Sequence, residues 1–231
     1  MDFTTICGTV FENKVYVIST QTKECLKCFA DKYFSDDAKV IFYDEFYIKN
    51  EYRLIETNVV SKAMLKEIFS LIYPSLVFVQ TYFGYTNDSI YKAIETEILR
   101  VWGDNVLMSY TQLSEQLAYI PVERIKNIFS QNSDFIWNRA GEFAQIGKFD
   151  IAKDEVSKVI SFVEREVLLH EYVSILDTPL GEIPARNHQL TTTAIHNAIY
   201  YTCLDANYDK LGKIITRKGN GVNALHIMME Y

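Results

Sequence analysis

The residues best equipped for chemistry in this chain are few and scattered. Cys25-Leu-Lys-Cys28 has the C-x-x-C spacing of zinc and redox sites. A zinc ion needs two more Cys or His ligands at similar spacing, and neither a second C-x-x-C nor a nearby H-x-x-x-H is present. A redox pair opens a helix with small residues or Pro between the thiols. Here Leu26 and Lys27 fill the gap, within a stretch (22–34) that reads as amphipathic helix. The two cysteines are therefore read as ordinary helix or core thiols. Glu166 and His170, at i and i+4, could hold a metal, but no H-E-x-x-H and no second His on that face accompany them. They are read as a partly solvated ion pair. Asp36-Asp37 reads as a turn, and Asp44-Glu45 lacks the closely spaced Lys that a magnesium-dependent nuclease adds. Phosphate-binding glycine loops and the G-x-S-x-G elbow are absent. The expectation is a non-enzymatic chain with no catalytic residue, no metal site and no cofactor.

Charge offers a second kind of chemistry, the recognition of phosphate. Nucleic-acid binding draws most of its energy from Lys and Arg neutralising the backbone. The chain has 23 basic and 30 acidic side chains, a net charge of −7, which excludes a uniformly basic binder. Any contact must therefore come from local patches. Residues 122–132 offer Arg124, Lys126, Asn127, Gln131 and Asn132 on a predicted solvent face, opposed by Glu123, and Arg139 follows. Arg, Asn and Gln are the types that pair bidentately with guanine or adenine edges. Lys210, Lys213, Arg217 and Lys218 fall within nine residues, with Asp209 the nearby acid. Arg186, Asn187, His188, Gln189, His196 and Asn197 lie upstream of that cluster, and Lys62 and Lys66 are four apart with Glu67 beside them.

The elements that must position these residues emerge from hydrophobic periodicity. At 231 residues, with 48% hydrophobic and 23% charged side chains, the chain is globular and long enough for more than one small domain. No apolar run reaches the roughly 20 residues of a membrane span. The N-terminal sequence lacks the pattern of a signal peptide, so a reducing cytoplasm is expected. Residues 3–18 read as a β-hairpin around Glu12-Asn13-Lys14. Beyond Thr20 a pattern recurs about every 65–70 residues.

The middle copy is the clearest. Residues 89–102 carry Ile90, Ala93, Ile94, Ile98, Leu99 and Trp102 at helical spacing, and Gly103 breaks the run. A short helix from Ser109 follows, with Leu113 and Leu117 inward. Pro121 then opens a third helix with Ile125, Ile128 and Phe129 inward. Two strand-like runs flank Ala140-Gly141-Glu142. Upstream, 22–34 and 60–72 read as helices, with Ser61 near a cap. Between them 39–49 reads as strand or short helix, and 76–85 reads as a wing strand. Downstream, 153–176 reads as one long helix with apolar Val156, Val159, Ile160, Val163, Val167 and Leu168. A helix over 191–204 follows, then a hairpin of 213–217 with 222–231.

This order over 89–150 resembles the winged helix-turn-helix superfamily. The fold expected is helix-rich α+β, with tandem winged-helix modules over 20–88, 89–153 and 154–231 after an N-terminal β-hairpin (1–19). A single α+β domain with scattered helices is the alternative. The resemblance implies a third helix offered to a DNA major groove and a basic wing reaching the backbone. It places Arg124, Lys126, Asn127, Arg139, Lys210, Lys213, Arg217 and Lys218 at the DNA, bound weakly and with strong salt dependence. Winged helices also mediate protein contacts, and an adaptor role accommodates the negative charge. It would use Tyr82, Phe83, Tyr85, Trp137, Tyr200 or Tyr201, with packing over its own core the other reading of Trp137. Self-association is left open, and no membrane partner is expected.

Overall fold

In a computed structural model, residues 3–6, 16–59 and 61–219 are described. The chain is helix-rich α+β, with nine α-helices and three three-stranded antiparallel sheets among the described residues. No described helix is long and apolar enough to cross a membrane. β1 (Phe3–Ile6) and β2 (Tyr16–Ser19) pair antiparallel, Phe3 opposite Ser19, as the predicted hairpin requires. Its expected turn lies outside the described residues.

Local chemistry fixes the elements that follow. Ser19 caps α1 (Thr20–Ser35), its hydroxyl accepting from the Thr22 amide at 3.0 Å. Asp37, in the left-handed region, ends α1 in the predicted turn. The stretch 39–49 turns out to be both strand and helix. Val40-Ile41-Phe42 forms β3 (Val40–Phe42), and α2 (Tyr43–Glu56) starts at once, with Asp44 and Glu45 in its first turn where the helix dipole favours anions. Ser61 caps α3 (Lys62–Ile72), accepting from the Met64 amide at 3.2 Å. β4 (Val77–Phe78) and β5 (Tyr82–Gly84) complete the set. β5 lies between β3 and β4, and Gly84 is required there. A Cβ on it would meet the Lys39 carbonyl oxygen at 2.1 Å.

The same order recurs twice. α4 (Ile90–Trp102), capped by Ser89, leads to β6 (Leu107–Ser109), α5 (Tyr110–Gln116), α6 (Val122–Gln131), β7 (Phe135–Arg139) and β8 (Glu142–Gln145). Gly141, at φ 72°, makes the β7–β8 turn. Then come α7 (Lys153–His170), β9 (Tyr172–Ser174), the one-turn α8 (Ile183–Arg186), α9 (Thr192–Ile199), β10 (Tyr208–Leu211) and β11 (Ile214–Arg217). In every three-stranded sheet the last strand is central: β3-β5-β4, β6-β8-β7 and β9-β11-β10.

Two expectations in the last copy are corrected. The long helix ends at His170, because Glu171 adopts a left-handed conformation and the chain enters β9. Leu168, near the helix end, is exposed. β11 pairs with β10 around Gly212 and with β9 on its other side; the strand expected to partner it, 222–231, lies outside the described residues. Gly212 supplies the positive φ of the two-residue turn between β10 and β11.

Contacts divide the chain into two compact units, 1–103 with 110–130 and 104–109 with 131–231, so the helices and the strands of the middle copy fall in different units. In the first, Phe69 stacks on Phe83 at 4.6 Å and meets Phe46 edge-on at 5.0 Å. Glu97, wholly buried, is satisfied on both oxygens. One accepts from the Lys39 amide at 2.9 Å, and the other from Arg100 at 2.9 Å and from the Tyr119 hydroxyl. In the second unit Val159, Val163 and Val167 of α7 pack with Ile195, Ile199 and Ile215.

Removing one partner of a buried ion pair strands the other, at a cost of about 3–5 kcal/mol. Glu97→Ala is expected to lower the urea-unfolding free energy by about that amount. The exposed Thr96→Ala on the same helix should cost within about 0.5 kcal/mol. Equal losses would contradict the role given to Glu97.

Candidate nucleic-acid and protein interface

α6 forms as the sequence predicts. Pro121 precedes it, and Ile125, Ile128 and Phe129 turn inward, Phe129 facing Trp102 and Tyr110 at 6.0 and 5.5 Å. The cations of its outer face have contacts of their own. Arg124 is half-buried, its guanidinium 5.5 Å from the centre of the Phe42 ring, a cation–π contact rather than a solvent-facing charge. Lys126 pairs with Glu123 one turn back at 2.7 Å. Asn127 is exposed, while the Asn132 side chain accepts from the Asp134 amide and shapes the entry to β7. Arg139 forks onto Glu142 across the Gly141 turn, with contacts of 2.9 and 3.0 Å. That hydrogen-bonded pairing holds the Glu142 carboxyl below the usual range.

In the last copy the third helix is largely enclosed. Buried Asn138 of β7 accepts from the Thr191 amide at 2.8 Å, and its carbonyl accepts from the Thr191 hydroxyl at 2.9 Å. Thr191 in turn caps α9. Ala194 and Ala198 pack on Ile136, so α9 presents little beyond Thr192 and Thr193 to solvent. His196 is buried with one ring nitrogen on the Thr192 carbonyl at 2.8 Å and the other without a partner.

The cations of the cluster 210–218 are unequal. Lys210 is partly buried, donating to Asn197 at 2.6 Å and lying 5.5 Å over the Tyr200 ring. Desolvation pulls its pKa down. Lys218 donates to the Asp205 carbonyl at 2.7 Å, with Asp209 close by and bonded to the Gly219 amide. Lys213, beside Gly212 in the hairpin turn, and Arg217, at the end of β11, are exposed and have no acid partner among the described residues. Upstream, Arg186 is held by Glu155 and, at 3.5 Å, by Asp150, while Asn187 is buried. In the first copy Lys62 pairs with Asp44.

The candidate aromatics also sort themselves. Tyr82 and Phe83 are core, Tyr85 is exposed, and of the adjacent pair Tyr200 is buried and Tyr201 partly exposed. Trp137, expected over its own core, is 48% exposed, because its neighbours Ile136 and Asn138 take the inward positions of β7. Sequence reasoning missed an exposed apolar stripe. Ile48, Tyr52 and Ile55 stand on α2 at i, i+4 and i+7, exposed by 62, 78 and 55%. Phe46 and Leu54 fill the opposite, buried face of the helix. The signal in the sequence was a helix with two apolar stripes where one suffices for a core.

The remaining chemistry is sparse. Cys25 and Cys28 are free thiols on α1, and burial pushes the Cys203 thiol up to about 11. His170 and Glu166 stand 3.8 Å apart at the surface of α7. Among the described residues no three His, Cys, Asp or Glu side chains gather as a metal site. Neither the family models nor the curated proteins searched give a match to this chain.

Burial holds the His196 imidazole below its ordinary range, so at mildly acidic pH the unfolded chain takes up the proton more readily. Stability conferred by the neutral ring is present above the unfolded value of about 6.5 and is lost as pH falls below it. The thermal midpoint should therefore drop from pH 7 to 5, and His196→Leu should reduce that drop. An identical pH profile for the variant would contradict the assignment.

Proposed function

We propose that the chain is a non-enzymatic protein-interaction array of winged-helix-like repeats, working in the cytoplasm where its free thiols stay reduced. The helix, strand, helix, helix, hairpin order, repeated with the last strand central, supports the winged-helix reading. The observation that carries interaction over nucleic-acid binding is the engagement of the candidate cations. Lys126, Arg139 and Lys62 are paired with carboxylates, and Arg124 and Lys210 lie over aromatic rings.

The α2 stripe is the docking face in this reading. Exposed Glu51 and Glu56 flank Ile48, Tyr52 and Ile55. The nearby cations are committed, Lys49 to Glu45 and the Ala118 carbonyl and Arg53 to the Phe29 ring. An apolar stripe with acidic flanks matches an amphipathic helix with Lys or Arg beside its apolar positions. A second copy of α2 is a poorer match, since it brings further acids to the same flanks. An amphipathic Leu/Lys peptide is expected to bind the intact chain better than its Leu/Glu counterpart. Ile48→Ser with Tyr52→Ser should weaken that binding about tenfold or more by fluorescence anisotropy. Equal affinity for the two peptides, or no effect of the substitutions, would refute the docking face.

Duplex DNA is the second reading, favoured by Lys213 and Arg217 at the last hairpin, which have no acid partner among the described residues, and by the weakness of exposed ion pairs, which phosphate can displace. If it holds, Lys213→Ala with Arg217→Ala should weaken binding across sequences and reduce the salt slope by about 2. An unchanged slope would remove this hairpin from the interface.

A further inference from the structure

A cleft of about 400 Å³ opens between α7 and the last hairpin, a size that suits a small molecule. α7 supplies one wall with Ile160 and Glu164, one turn apart and so on one face, beside the core positions Val159 and Val163. The hairpin supplies the other. Tyr208 of β10 lies directly opposite Arg217 of β11, so their side chains share one face of the sheet. Ile215, two residues before Arg217 and on that same face, packs with the α7 valines. A π-helical turn (Tyr200–Leu204) and the residues after it add Cys203 and Asn207 to the lining.

Both walls carry charge that the fold leaves uncompensated. Among the described residues the Arg217 guanidinium and the Glu164 carboxylate make no hydrogen bond or ion pair, with each other or with any other group. Lys218, by contrast, has its ammonium on the Asp205 carbonyl. Tyr208 is only 8% exposed. Its hydroxyl makes no hydrogen bond among the described residues and is not shut off from solvent, so it opens on the cleft that the residue lines. Burial first, then the Glu164 carboxylate, raises the phenol above its ordinary range, and the Arg217 guanidinium draws it back. The hydroxyl thus stands near both charges and keeps its proton. Ile160 offers apolar surface, and so does Cys203, whose buried thiol stays protonated and behaves as a small hydrophobe.

A carboxylate alone would pair with Arg217 but set a second negative charge beside Glu164, and an amine alone would crowd Arg217 in the same way. A small ligand carrying both charges neutralises both walls at once. We propose that the cleft binds a free α-amino acid with an apolar side chain. Its carboxylate meets Arg217 and the Tyr208 hydroxyl, its ammonium meets Glu164, and its side chain lies against Ile160 and Cys203. The proposal is independent of the docking face on α2.

The test is a titration of the full chain with leucine, followed by amide NMR shifts. Two analogues run beside it: 4-methylpentanoate, which is leucine without its ammonium, and 3-methylbutylamine, which is leucine without its carboxylate. Saturable shifts at Tyr208 and Arg217 are expected with leucine, and binding at least about tenfold weaker for either analogue, because hydrogen bonds to charged groups are the strong ones. Arg217→Gln should abolish the preference for leucine over the amine, and Glu164→Gln the preference over the acid. Both side chains are at the surface, so neither change should move the thermal midpoint appreciably. Tyr208→Phe should weaken leucine binding severalfold. Lys213→Ala, which the DNA reading requires to matter, should leave leucine affinity unchanged, so the two uses of this hairpin fail separately. Absence of saturable shifts, equal affinity for leucine and either analogue, or preferences that survive both substitutions overturns the proposal.

Discussion

Glu123 holds Lys126 one turn along α6, and Glu142 holds Arg139 across a two-residue turn, so the middle repeat meets its own cations before any ligand can. The same local matching governs much of the chain. Lys62 finds Asp44, Lys158 finds Asp154, and Arg186 finds Glu155. Exposed pairs of this kind add little to stability. Their consequence is electrostatic, because they set an acid beside each of these cations in a chain of net charge −7. The buried limit of the rule is Glu97, whose carboxylate is tolerable inside only because Arg100, Tyr119 and the Lys39 amide satisfy it together.

Short sheets impose the second constraint. Three strands of two to five residues bury too little alone, so each sheet relies on helices laid against it. That need accounts for the enclosure of α9. Asn138 and Thr191 lock the start of the helix onto β7, and Ala194 and Ala198 let it approach closely. A helix used in this way offers solvent little more than its first turn, Thr192 and Thr193. α2 is the opposite case, since Phe46 and Leu54 meet the needs of the core and Ile48, Tyr52 and Ile55 are left over.

Much of this was legible in the sequence where one local signal decided the outcome. Ile125, Ile128 and Phe129 set the inward face of α6, Ser61 and Thr191 marked helix starts, and Gly141 marked a hairpin turn. The failures arose where two signals competed or the partner lay far along the chain. β3 passes into α2 without a turn residue or a side-chain cap, so 39–49 carried no boundary to read. Gly212 and the Lys218-Gly219 pair both resemble turns, and only pairing with β9 and β10 selects the first. Spacing of i, i+3 made Lys126 with Glu123 readable in principle. The placement of Arg124 on Phe42, by contrast, depends on tertiary packing that no local pattern encodes. The convergence of Glu164 and Arg217 on one cleft belongs to the same class.

Local charge matching is the centre of this account, and it is tested most directly by removing the acids instead of the cations. Glu123→Gln with Glu142→Gln leaves Lys126 and Arg139 in place and uncovers their charge. Titrated against a mixed-sequence duplex at low salt, the unaltered chain should show little binding and the variant clearly more, with a steeper salt dependence. Tight, strongly salt-dependent binding by the unaltered chain, unchanged by the two substitutions, would contradict it.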